Sequence, residues 1–368
     1  MSSKMSKRRS LFSGVMIAAL SAISSANAAD YGAVGSPIQL TVGHPCCYAA
    51  SWSAYIVHEK ELWKKYFPQG STVNFDIGLA GPPVVNNLLA GKVQVGYLGD
   101  IPAIASVTKE KMADVRLVAA TALSHDQCGI LLERMDAPKS ADSKQAVKWL
   151  DGKQFAVPRG SCGDRFAKTI FKNESVSPAS YLNQTIEVIS TSFRAGKIDG
   201  AVVWEPVASQ LVNEKLAKRV ASGVTYNVQD GAFIAMRGDL LDARPDIAEA
   251  WLKAELDAQL FMADPKNADQ VIAIIGKYVS QFSKKDLRDA IYGRYSAGEG
   301  GSDVRMIQPF SFTPEVRRLL KDATEFLYEA KGVNSPTLKE SVVDGKLADK
   351  VLAERGLTSP IGRLVATQ

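Results

Sequence analysis

The sequence predicts an α/β protein of two lobes with a helical C-terminal extension. Three observations carry this. Short β-like runs alternate with helical patterns through the first half of the chain, the order that parallel βαβ units produce. One βα unit recurs: "AGKVQVGYLGDIP" (90–102) and "AGKIDGAVVWEPV" (195–207) share a helix end, a glycine, an apolar strand and an acid followed closely by proline. The chain of 368 residues is too long for one ordinary core and suits two.

Taken in order, residues 1–28 read as a secretory signal peptide. Lys4, Lys7, Arg8 and Arg9 form a positive start, "LFSGVMIAALSAI" is an apolar stretch, and Ala26-Asn27-Ala28 offers small residues for cleavage. The apolar stretch is too short and too interrupted for a membrane anchor. Arg8-Arg9 permits the twin-arginine route, but the general secretory route is expected. Loss of these four basic residues brings the net charge from +5 to +1, which is no footprint for nucleic acid.

The strand at 38–43 alternates with period two, and 51–67 reads as an amphipathic helix capped by Ser51. Strands at 73–79, 93–98, 115–123 and 154–158 continue the alternation, with a helix at 83–91. After about residue 238 the chain turns almost wholly helical, at 245–262, 267–279, 283–292 and 314–330. In the repeated unit Gly91 and Gly196 supply left-handed helix caps. Asp100 and Glu205 then emerge at the carboxyl ends of their strands, where open α/β sheets bind ligands. Two such edges, one per lobe, are expected to face each other across a cleft.

Three further stretches stand out: "GLAGPPVVNNLLAGKVQVGYLGDIPAIAS" (78–106), "AVPRGSCGDRFA" (156–167) and "DGAVVWEP" (199–206). Together they resemble the nitrate, sulfonate and taurine binding-protein family of ABC importers. The likeness runs from about residue 37 to 265. It implies a two-lobed periplasmic binding protein of type II, each lobe a mixed, mostly parallel sheet flanked by helices. Lobe 1 would take 29–125 plus 232–368 and lobe 2 would take 126–231, with crossing strands near 121–131 and 226–236. A small-molecule ligand would close the cleft, and an ABC permease and ATPase complex in the inner membrane would read the closed form. The protein is expected to be periplasmic, monomeric and without a cofactor.

By the same likeness the ligand-facing residues are His44, Cys46, Cys47 and Tyr48, then Gly81, Pro82, Gly99 and Asp100, and from the second lobe Ser161, Cys162, Trp204 and Glu205. Asp230 adds to the negative field. Helix N-termini after Pro82 and Ser161 suit an anion. Ser161 with Asp164 also fits a capping box. Trp204 offers a flat face to an organic group or cation. The favoured solute is an organosulfonate, taurine-like or nitrate-like. Two acids facing one pocket would instead favour a small nitrogenous cation of amine or guanidinium type held by Asp100 and Glu205.

The loop "GHPCCYAASW" (43–52) departs from the family, whose loop here is usually free of cysteine. In an oxidising compartment the four cysteines favour disulfides. Adjacent cysteines rarely pair with each other; a bond from Cys46 or Cys47 to Cys128 is one arrangement the three complete connectivities leave open, and unpaired thiols lining the pocket are another. A bond to Cys162 would tie the lobes together. The alternative is a periplasmic soft-metal or thiol-redox protein using Cys46 and Cys47, with Cys162 completing a thiolate set. Enzyme motifs are missing. His44, His58 and His125 lack zinc-hydrolase spacing, and there is neither a Gly-x-Ser-x-Gly elbow nor a P-loop.

Overall fold

A computed structural model describes residues 30–46, 48–78 and 80–367. The signal-peptide reading of 1–28 and the expectations for Cys47 lie outside the described residues.

From Tyr31 onward the chain builds two sheets. The first holds seven strands among the described residues: β1 (Gln39–Pro45), β2 (Thr72–Gly78), β3 (Val95–Gly99), β4 (Val115–Ser124), β10 (Asp230–Arg237), β11 (Val304–Gln308) and β12 (Gly362–Val365). Their spatial order is β12-β11-β4-β10-β3-β1-β2. The second holds β5 (Ile130–Arg134), β6 (Gln154–Val157), β7 (Ser180–Asn183), β8 (Gly200–Val203) and β9 (Ala217–Ser222), in the order β7-β6-β8-β5-β9. Both are mixed. β1 runs parallel to β2 and β3, and β6 runs parallel to β7 and β8. The antiparallel pairs come from β5, β10 and β11. The chain passes between the sheets twice, through 125–129 and 223–229.

Helices cover both faces of each sheet, so the central strands are apolar throughout rather than alternating. All of β3 and β8 is buried. Successive residues of β10 still divide by face. Phe233 and Ala235 join the core under helices Gly81–Leu89, Asp100–Val107 and Pro314–Glu329, while Ile234 and Met236 join the core that holds Trp52, Tyr55 and Trp251. The second sheet packs Phe155, Val157 and Val202 against Phe166 and Ile170 of helix Cys162–Glu174.

Two departures from the sequence reading have physical causes. The helix expected over 51–67 is a regular helix only at Trp52–Glu59. Glu61 turns into the left-handed region at φ 46°, and a 3₁₀ turn, Leu62–Lys65, follows. The break seats Trp63 against Phe67, and Phe67 against Trp251. The C-terminal part is not wholly helical, because β11 and β12 extend the first sheet beyond β4. Elsewhere the repeated unit is built as expected, with Gly91 at φ 74° and Gly196 at φ 62° ending their helices in the conformation glycine favours.

Candidate functional site at the meeting of the two sheets

The first sheet delivers Asp100 at the carboxyl end of β3, where Gly99 caps helix Asp100–Val107. The second sheet delivers Arg165 from the first turn of helix Cys162–Glu174. The two meet directly. Arg165 Nη2 lies 2.8 Å from Asp100 Oδ2, with the side chains 8% and 0% exposed. The same nitrogen donates to the carbonyl of Gln229 in the second passage between the sheets. Arg165 Nε is buried with no hydrogen-bond partner. Asp100 Oδ1 accepts the N–H of Ile101 at 2.7 Å. Burial pushes the Asp100 carboxyl up, against the pull of the Arg165 guanidinium.

Tyr48 lies over Gly99, where a Cβ would meet its ring at 3.0 Å. Its ring meets Trp204 of the second sheet edge-on, with centroids 5.6 Å apart. Its hydroxyl has a weak partner in Cys162 Sγ at 3.5 Å. Burial, and then the charges of Asp230 and Asp100, hold the Tyr48 phenol well above its usual range, so it acts as a neutral donor. Asp230 accepts the N–H of Cys128 at 3.1 Å. Burial first, then Asp100, push its carboxyl up to about 8. Ser161 caps its helix by accepting from the N–H of Asp164 at 3.2 Å. Asp164 returns not to Ser161 but to Gly160 N–H, at 2.9 Å.

Other expected residues sit elsewhere. His44 is fully buried. Its ring packs edge-on against Tyr55 at 4.8 Å, and burial pushes it down to about 4. Gly81 packs under Pro102, where a Cβ would come within 2.5 Å of Cγ, and Pro82 is exposed. Glu205 faces away from Asp100 into a buried four-charge group. It takes Arg219 and Arg305 at 3.3 Å each. Asp126 takes the same two arginines. Ser209 donates to Glu205 at 2.8 Å and meets the hydroxyl of Tyr295, whose ring lies under both guanidiniums. With two cations and a hydroxyl already on it, Glu205 is no open counter-charge for a ligand.

The cysteine expectations need correction. Cys128 pairs with Cys162, not with Cys46 or Cys47, because Cys128 in the first passage between the sheets lies against the start of helix Cys162–Glu174. Cys46 is also disulfide-bonded, and its N–H donates to Gly78. A sulfur in a disulfide is no thiolate, so the metal set of Cys46, Cys47 and Cys162 is not available. Among the described residues no group of three His, Cys, Asp or Glu side chains is placed to hold a metal ion.

The sequence model of the NMT1-like family matches residues 36–276. The chain belongs to the NMT1-like family. Among relatives, the taurine-binding periplasmic protein of Escherichia coli K12 is 25% identical over 224 residues, 56% of this chain and 65% of that protein. The nitrate/nitrite binding protein NrtA of Synechococcus elongatus is 31% identical over 122 residues, 31% of this chain and 27% of that one. The matches thus span less than two thirds of either relative. The periplasmic aliphatic sulphonate binding protein SsuA of Escherichia coli has the same fold, at a TM-score of 0.68 and 18% identity over 85% of this chain and all of that one. The desulfurization enzyme DszB superposes at 0.64 and 14% identity over 86% and 99%. The fold alone therefore does not separate binding from catalysis. No helix among the described residues of this NMT1-like chain is long and apolar enough to cross a membrane.

Arg165 was missed by sequence reasoning. One signal for it exists. A cation in the first turn of a helix opposes the helix dipole, so Arg165 needs an external anion to justify its place. Arg219 and Arg305 gave no such signal.

Proposed function

We propose that this chain is the extracytoplasmic solute-binding component of an ABC importer. It acts as a monomer, captures a small polar solute between two lobes and delivers it to an inner-membrane permease and ATPase. Lobe 1 takes 29–125 plus 232–368 and lobe 2 takes 126–231. The solute is an organosulfonate of taurine-like, dipolar form. The observation that carries this is the buried Asp100–Arg165 pair, one member from each sheet, beside two donors without a strong partner, Arg165 Nε and the Tyr48 hydroxyl.

A simple anion would take Arg165 and leave Asp100 buried and unpaired. A simple cation would do the reverse. Either loss costs several kcal/mol when the stranded charge stays out of water. A solute with both charges satisfies both residues and places its sulfonate against the two unused donors. Tyr48 and Trp204 then flank its short apolar link. The names of the E. coli relatives support the ligand class.

Thermal melting of the mature protein with nitrate, ethanesulfonate, 2-aminoethanesulfonate and guanidinium tests this, with isothermal titration of whatever shifts it. A ligand at 100 times its Kd adds about 2.7 kcal/mol, which raises Tm by roughly 2 °C or more in a chain this size. The largest shift is expected from 2-aminoethanesulfonate. A shift from guanidinium alone would sink the proposal, and a shift from nitrate alone would reduce it to anion capture.

A further inference from the structure

Three features of the site's border involve one helix start and the two passages between the sheets. Cys162 opens helix Cys162–Glu174 and is bonded to Cys128 in the first passage. The N–H of Cys128 is held by Asp230, where the second passage enters β10. Arg165, one turn into the helix, reaches the carbonyl of Gln229 in that second passage on its way to Asp100. The helix start is thus anchored covalently to one passage and by a guanidinium to the other.

We propose that the Cys128–Cys162 disulfide positions Arg165 for ligand. The claim rests on the reading of the site given above. A guanidinium recognises a sulfonate through directed N–H groups, and small rotations of its helix misplace them. Non-covalent contacts hold the helix start too: Ser161 Oγ donates to Pro158 O at 2.6 Å, and Tyr181 donates to Asp164 at 2.6 Å. These fix the outer side of the turn, toward the exposed Arg159–Gly160 loop. On the inner side, Cys162 and Cys128 are both buried, and their bond fixes the turn where Arg165 leaves it. A plain staple would raise the stability of the whole fold by constraining the unfolded chain. A positioning bond also sets affinity, and does so through Arg165.

The experiment compares the mature protein with the double variant Cys128→Ser, Cys162→Ser, each alone and with Arg165→Lys. Affinity for 2-aminoethanesulfonate is titrated well below every Tm, and amide exchange is followed over 160–168. Loss of the bond is expected to weaken binding about tenfold with Arg165 present and less than about twofold in the Arg165→Lys background, the non-additivity of residues that act together. Exchange over 160–168 is expected to quicken while β8 keeps its protection. Unchanged affinity with a lowered Tm would make the bond a staple and overturn the proposal. So would an equal loss in both backgrounds. If the parent protein binds no probe, the proposed function fails. The exchange measurement then decides the positioning claim by itself, and unchanged exchange over 160–168 overturns it.

Discussion

Burial, and then the charge of Asp100, push the Asp230 carboxyl up to about 8 in the fold, against roughly 3.9 in an unfolded chain, and that has a measurable consequence. Between those values the folded state binds the extra proton, so stability falls as pH rises through the window. The charges facing Asp230 are Asp100 and Asp126, which raise its pKa, and Arg165, which lowers it. Glu133 and Glu255 are pushed by burial to about 7 and act in the same sense. His44 acts in the opposite sense. It is held down to about 4 against roughly 6.5 unfolded, so its contribution is lost as pH falls from 6.5 to 4. Asp230→Asn keeps an acceptor for Cys128 N–H and removes the titration. The fall in Tm from pH 5 to pH 8 is expected to be shallower in Asp230→Asn than in the parent, with a residual slope from the two glutamates. An identical slope in both proteins would mean that Asp230 is ionised in the fold.

At the scale of elements, the four charges around Arg305 join three parts of the chain. Arg305 comes from β11 in the first sheet, Glu205 and Arg219 from the second, and Asp126 from the first passage between them. Removing one member strands its partners. Arg305→Met is expected to cost about 3–5 kcal/mol, since it leaves two buried carboxylates with one guanidinium. Breaking the exposed pair Arg194–Glu214 by Arg194→Met should cost under about 1 kcal/mol. Urea unfolding of both variants reads the difference, and equal midpoints would show that the network adds nothing beyond a surface pair. The same network marks where the sequence stops being readable. Asp100 and Glu205 occupy equivalent places in the repeated unit, yet one meets Arg165 across the sheets and the other meets two buried arginines. No local pattern separates them, because their partners lie 14 to 100 residues away. The strands and glycine caps of the repeat were legible because they depend on neighbours in sequence. Strands β11 and β12 were not, because "VRMIQ" and "GRLV" are too short to show a period and become strands only by pairing beside β4.

For the whole molecule, the proposed function assigns the two short passages the part of a hinge and the Asp100–Arg165 pair that of its closing contact. In the closed arrangement the pair is desolvated. Opening lets water reach both charges, so the pair alone gives the closed state little net advantage. A dipolar solute changes this balance. It exchanges one ion pair for two and adds hydrogen bonds to Arg165 Nε, which has no other partner, and to the Tyr48 hydroxyl, whose partner is a sulfur, and only the closed state brings Asp100 and Arg165 to one solute together. That difference in affinity between the two states is what a ligand needs in order to shift a population. Small-angle scattering makes the argument testable. Saturating 2-aminoethanesulfonate is expected to lower the radius of gyration of the parent protein, because its sulfonate needs donors from the second lobe and its ammonium needs Asp100 from the first. Arg165→Met removes the second-lobe partner and leaves Asp100 without a counter-charge. Its radius should therefore stay at the unliganded value at ligand concentrations that compact the parent. Equal compaction in both proteins would place the closing force elsewhere, in the aromatic contact of Tyr48 with Trp204.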